Sequence, residues 1–168
     1  NATIAAAQID NGSSDACGIA STTIDVSSFD CSNVGANTVT LTVTDNNGNA
    51  STCTSTVTVE DNEAPQIACA ANISINTDLG VCGATVTYTT PTGTDNCAST
   101  TTQTAGLASG SVFPVGTTTN TFVVTDASGN TATCSFDVAV TDNEAPQIAC
   151  AANVSVNTDL GVCGATVT

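Results

Sequence analysis

Lysine, arginine and histidine are all missing from the 168 residues, while aspartate and glutamate together number 15, for a formal charge of −15. Without imidazole there is no histidine base and no histidine-ligated metal. Without lysine there is no Schiff base and no lysine isopeptide crosslink. With neither cation present, phosphates cannot be neutralised, so nucleic acid is excluded as a partner, and an anionic membrane repels the chain. Side-chain salt bridges cannot form, and trypsin has no site. Aromatic residues make up 3% of the chain, too few to furnish the exposed ring platforms of a carbohydrate-binding module. Long apolar runs are lacking too: none approaches the roughly 20 residues that span a bilayer, so membrane insertion is not expected.

Cysteine, by contrast, is plentiful. The nine cysteines fall at 17, 31, 53, 69, 82, 97, 134, 150 and 163, with no C-x-x-C pair. That spacing, without histidine beside it, argues against zinc, iron–sulfur and thioredoxin-type chemistry. A disulfide framework remains, and with it an oxidising habitat, extracellular or at the cell surface.

Self-similarity is the strongest feature. Residues 61–87 recur at 142–168 with only Ile73 and Ile75 replaced, by Val154 and Val156, so the period is 81 residues. The same offset relates Val34-Gly35 to Val115-Gly116, Thr44-Asp45 to Thr125-Asp126, Gly48-Asn49 to Gly129-Asn130 and Cys53 to Cys134. The expected organisation is the trailing part of a diverged module at 1–60, a complete module at 61–141 and the opening strands of a third at 142–168. Both ends cut a module, so a longer natural protein is expected.

Within each module, apolar residues alternate with threonine: Val39, Leu41 and Val43 between Thr38, Thr40, Thr42 and Thr44, then Thr54–Val59, Thr85–Thr89 and Phe136–Val140. A period of two with one apolar face predicts strands, and Asp-x-x-Gly-Asn and Asp78-Leu-Gly predict the turns between them. About seven short strands per 81 residues, with no sustained helical periodicity, predict an all-β fold of tandem Ig-like sandwiches. Their cores are thin: Tyr88, Phe113, Phe122 and Phe136 are the only large rings of the complete module. Disulfides offset that deficit. Local spacing predicts Cys69–Cys82 and Cys150–Cys163, and repeat alignment predicts Cys17–Cys53 and Cys97–Cys134. Cys31 is then left over, with its partner expected upstream of Asn1 and a free buried thiol as the alternative.

Acidic residues gather where modules meet. Glu60, Asp61 and Glu63 precede Ala-Pro65, and Asp142 and Glu144 repeat the pattern before Pro146. Oxygen ligands clustered at a junction suit a hard cation such as Ca2+, to which Asp45 and Asp126 on nearby turns could add. The competing reading is a solvated linker whose proline sets an extended entry into the next strand. Paired carboxylates on linkers are not placed for glycoside hydrolysis, and no nucleophile elbow exists, so no catalytic residue is expected and the chain is not read as an enzyme. Threonine rows resemble ice-binding arrays, but those solenoids repeat at much shorter periods. Asn1, Asn11, Asn49, Asn72 and Asn153 fit the glycosylation pattern, as an Asn- and Thr-rich chain does by composition alone.

Residues Phe113-Pro-Val-Gly-Thr-Thr-Thr-Asn-Thr-Phe-Val-Val-Thr-Asp-Ala-Ser-Gly-Asn-Thr-Ala-Thr-Cys134-Ser-Phe, followed by Thr141-Asp-Asn-Glu-Ala-Pro146, resemble the hyalin repeat (HYR) domain. The first module, with Asp10-Asn-Gly-Ser-Ser-Asp-Ala-Cys17 and Ser28-Phe-Asp-Cys31, resembles repeats of giant Bacteroidetes surface adhesins, those of the SprB gliding-motility type among them. The resemblance implies an Ig-like fold and a role in cell adhesion, as stalk or filament. The partners implied are neighbouring repeats of one long chain and a surface ligand. A self-assembling extracellular filament, sheath or S-layer-like protein is the alternative.

Overall fold

The computed structural model describes residues 1–167. Where threonine alternates with valine, leucine or phenylalanine, the chain is extended, giving 43% strand against 4% helix. The leading part contains β1 (Ala2–Thr3), α1 (Ala6–Ile9), β2 (Ile19–Ile24), β3 (Ser28–Phe29), a 3-10 turn at Cys31–Asn33, β4 (Gly35–Asp45) and β5 (Ala50–Val59). The following part contains β6 (Ile73–Asn76), β7 (Gly83–Thr85), β8 (Ser99–Ala105), β9 (Val112–Pro114), β10 (Gly116–Asp126) and β11 (Thr131–Thr141). Two sheets, β2-β4-β5 and β6-β11-β10-β8, are accompanied by separate two-stranded ribbons, β1-β3 in the leading part and β7-β9 in the following part.

Each long hairpin turns on an Asp-x-x-Gly-Asn segment. Gly48 and Gly129 sit at φ +88° and +92°, the left-handed region that a side chain disfavours. Alternation then decides what is inside. Phe122 of β10, with Phe136, Val138 and Val140 of β11, packs on Ala84, Val86 and Phe113. Tyr88 closes this core edge-on, its ring centroid 4.9 Å from that of Phe136, and its hydroxyl donates to Leu107 O at 2.6 Å. That bond lets an otherwise apolar position hold a phenol. In the leading part only Phe29, Val39 and Leu41 are buried apolar residues, and one face of its sheet opens into a groove past Leu41, Val43 and Cys53.

The pairing of cysteines differs from the local scheme. Cys69 bonds Cys134 and Cys31 bonds Cys97, at Cα separations of 5.6 and 5.5 Å. Cys69–Cys82 does not form because β6 pairs parallel to β11, with Ile73 beside Val138. The same 65-residue offset, carried back four positions, sets Cys69 beside Cys134. Cys97–Cys134 fails on distance: Cys134 is level with Phe122 and Gln103, six residues or about 20 Å along the strand from Cys97. Cys17–Cys53 fails likewise, since Cys53 is level with Leu41 and Ile24, seven residues or about 23 Å beyond Cys17. Cys31, expected to look upstream, instead looks forward. Cys17, Cys53, Cys82, Cys150 and Cys163 are exposed thiols.

The residues read as the opening of a third module carry no strand among those described, and Thr168 lies outside them. Val154–Asn157 correspond to β6, yet no long strand lies beside them to supply ladder bonds. Their apolar side chains stay in solvent, with Ile148 89% and Val154 69% exposed.

Candidate functional site

The leading and following parts meet around the linker Glu60–Pro65. From the leading side come the end of β5 and the 3-10 turn, an insertion between Phe29 and Val34 that has no counterpart between Phe113 and Val115. Asp30 holds that turn by accepting from Ser32 N at 2.8 Å, and Asn33 Oδ1 accepts in return from Asp30 N at 2.9 Å. The insertion carries Cys31 to Cys97 and so makes the joint covalent. From the following side comes Asp95-Asn96-Cys97, a tight turn in which Asp95 Oδ2 accepts from Cys97 N at 2.8 Å.

Within this joint one carboxylate oxygen of Asp61, one of Asp95 and the sulfur of Cys97 lie within 4.8 Å of one another. Two of the oxygens, Asp61 Oδ2 and Asp95 Oδ1, are shut away from solvent without a hydrogen-bond donor. Buried acceptors left unpaired are costly, and two anions facing each other more so. With no basic side chain anywhere in the chain, relief must come from solution, from a cation or from ordered water. Cys97 is oxidised and supplies no thiolate, so the donor set is oxygen, which suits a hard divalent ion.

The other carboxylates expected to ligate a metal are committed elsewhere or stand apart. Glu60 is exposed on the rim. Glu63 accepts from Asn96 Nδ2 at 3.0 Å and ties the linker to the Asp95 turn. Asp142 and Glu144 lie 81 residues further on, at the next linker, where Glu144 accepts from Gly80 N at 2.9 Å. Asp45 and Asp126 are spent on their own hairpins. Asp45 accepts from Asn47 N, Asn49 N and Asn49 Nδ2 at 2.7–2.8 Å. Asp126 accepts likewise from Ser128 N, Asn130 N and Asn130 Nδ2 at 2.7–2.9 Å. Asn130 also donates to Asp61 O at 3.0 Å, so this turn buttresses the linker rather than ligating through it. Asp95 was not singled out from the sequence, although Asp15-Ala-Cys17 repeats its turn, with Cys17 N donating to Asp15 Oδ1 at 2.7 Å.

These turn bonds hold two carboxyls below their usual range. For Asp45 the side chain of Asn49 is the largest cause, followed by the Asn49 amide. For Asp126 burial pushes upward, and the bonds from Asn130, Gly129 and Ser128 together outweigh it. A depressed folded value means that the stabilisation is complete above the unfolded pKa of about 3.9 and is lost as pH falls through the lower folded value. Asp45→Asn and Asp126→Asn are therefore expected to melt several degrees below the native chain near neutrality. That gap should close as pH falls below the unfolded value and through the depressed folded values of the native carboxyls. Circular-dichroism melts across pH 2–7 check this; a gap constant with pH counts against it.

Residues 60–140 match the HYR domain family. The chain is 38% identical over 140 residues to hyalin of Strongylocentrotus purpuratus, which covers 80% of this chain and 12% of that protein. It is 33% identical over 108 residues to hyalin of Lytechinus variegatus, 62% of this chain and 20% of that protein. Over 88 residues it is 38% identical to a sushi, von Willebrand factor type A, EGF and pentraxin domain-containing protein of Rattus norvegicus, 51% of this chain and 2% of that protein. The chain thus spans a fifth or less of the curated relatives it matches. These matches support an HYR-type repeat.

Proposed function

We propose that this chain is a run of tandem Ig-like, HYR-type modules in an extracellular adhesive protein, acting as a structural element rather than an enzyme. The observation that carries the reading is the joint itself: consecutive sheet-bearing parts are bonded through Cys31–Cys97 across a short acidic linker. Such a joint sets the position of one module on the next, which a stalk needs and a hinge would forbid. Two disulfides fit an oxidising compartment, and no described helix is long and apolar enough to cross a membrane. The narrower assignment is a repeat of a giant surface adhesin of the gliding or attachment kind, forming or extending a filament whose far end meets a surface.

The same reading puts a calcium ion between Asp61 and Asp95. The ion would neutralise the two stranded oxygens and draw the linker onto the Asp95 turn. Calcium at about one hundred times its dissociation constant is expected to stabilise the chain by about 2.7 kcal/mol. Asp95→Asn should abolish most of that gain, whereas Asp142→Asn, away from the joint, should not. Calorimetric melts with calcium or chelator, paired with small-angle scattering, test both stability and stiffness. A melting temperature and maximum dimension indifferent to calcium would falsify the site while leaving the tandem reading standing.

A further inference from the structure

The two ribbons share one register: Ala2 faces Phe29 in the first, and Ala84 faces Phe113 in the second. Counting two residues outward along the antiparallel rungs reaches Cys31 beyond Phe29 and Cys82 before Ala84. Both cysteines thus lie just past the same end of their ribbon, Cys31 in the 3-10 turn after β3 and Cys82 just before β7, at the end of each part that faces the following linker. Their surroundings correspond as well. Cys31 shares a groove with Glu60, Asp61 and Asn96. Cys82 shares one with Asp142, Glu144 and Pro146, where Asp142 and Glu144 are the 81-residue counterparts of Asp61 and Glu63. The thiol that meets Cys31 is Cys97, whose sulfur lies within 4.8 Å of an Asp61 carboxylate oxygen. A following module of the same kind would bring its counterpart of Cys97 beside Asp142, where Cys82 stands exposed.

We propose that Cys82 forms the next inter-module disulfide, with the counterpart of Cys97 in the module that follows, so that each joint of the array is bonded like the first. The inference rests on the tandem reading above. It also gives the insertion at Cys31–Asn33 a purpose: it supplies from β3 the sulfur that the second module supplies from the strand facing β9. Formation joins two thiols in one S–S bond. Two protons and two electrons leave, and a small-molecule disulfide accepts them by exchange and becomes two thiols.

The test extends the chain past Thr168 with a copy of residues 88–141, which completes the third module from its own sequence. Cys163→Ser removes a duplicate peptide, and Thr100→Ser in the added copy marks its Cys97 by mass. After refolding with glutathione disulfide, free thiols are alkylated and the unreduced protein is cut before aspartate. The expected result is Cys82 linked to the marked peptide, with its alkylation falling from near-complete in the 168-residue chain to near zero. If Cys150 has joined the added copy's Cys134 while Cys82 still alkylates, the inter-module bond is refuted and the array stands. If Cys82 and Cys150 both remain free, the array reading is overturned with it.

Discussion

Cys134→Ser is expected to lower the melting temperature of the part spanning 61–141 by about 15–30 °C. The bond to Cys69 closes a loop of 65 residues, and loop-closure entropy for that length corresponds to about 4 kcal/mol. Each kcal/mol moves the midpoint of a domain this size by roughly 4–8 °C. Little else replaces the bond, because the strand that carries Cys69 to the sheet, Ile73–Asn76, is four residues long and pairs only at the edge of β11. Scanning calorimetry of oxidised native and variant chains measures the effect. A shift below about 5 °C would show that β6 docks without its sulfur anchor.

Phe136→Ala is the second large effect, with an expected loss of about 3–5 kcal/mol. Phe136 is 2% exposed and sits at the centre of the ring cluster, edge-on to Tyr88 and stacked on Phe122 at 6.3 Å. Removing it opens a cavity and also leaves Tyr88 without the ring that fixes it, in a core with no fifth aromatic to slide inward. Against a total of roughly 5–15 kcal/mol for a domain, the loss leaves the folded state marginal even with Cys69–Cys134 intact. Val115→Ala, at a position 48% exposed, serves as the control and should change stability by less than about 0.5 kcal/mol. Urea titrations of both variants decide the matter: comparable losses would mean that the rings are not the core of this part.

Strand positions were legible in the sequence because threonine alternation is a local signal. Thr38–Thr44 lies within β4, Thr54–Val59 within β5 and Phe136–Val140 within β11. The alternation over Thr85–Thr89 predicts a strand, but only its first residue belongs to one. Beyond Thr85 the chain serves Tyr88 and Val86 as core residues, bonding through Ser111 and Ser109 rather than a regular ladder. Disulfide partners were not legible, for the opposite reason. Cys69 meets Cys134 through a parallel pairing across 65 residues, and no local spacing encodes which distant strand lies alongside. Of the candidate cation site, Asp61 stood out in its acidic run, while Asp95, isolated between Thr94 and Asn96, gave no cluster to notice.

The two disulfides interleave along the chain, since the stretch from Cys69 to Cys97 belongs to both loops. A tensile load applied at the ends therefore crosses from residue 31 to 97. Its shortest covalent route to Cys134 then runs backward to Cys69 before crossing again. The stretch from Cys69 to Cys97 bears the force against the sense of the chain, while residues 32–68 and 98–133 hang slack. Even fully unravelled, the span from Cys31 to Cys134 reaches about 100 Å instead of about 350 Å, so the segment behaves as a tether with a built-in stop.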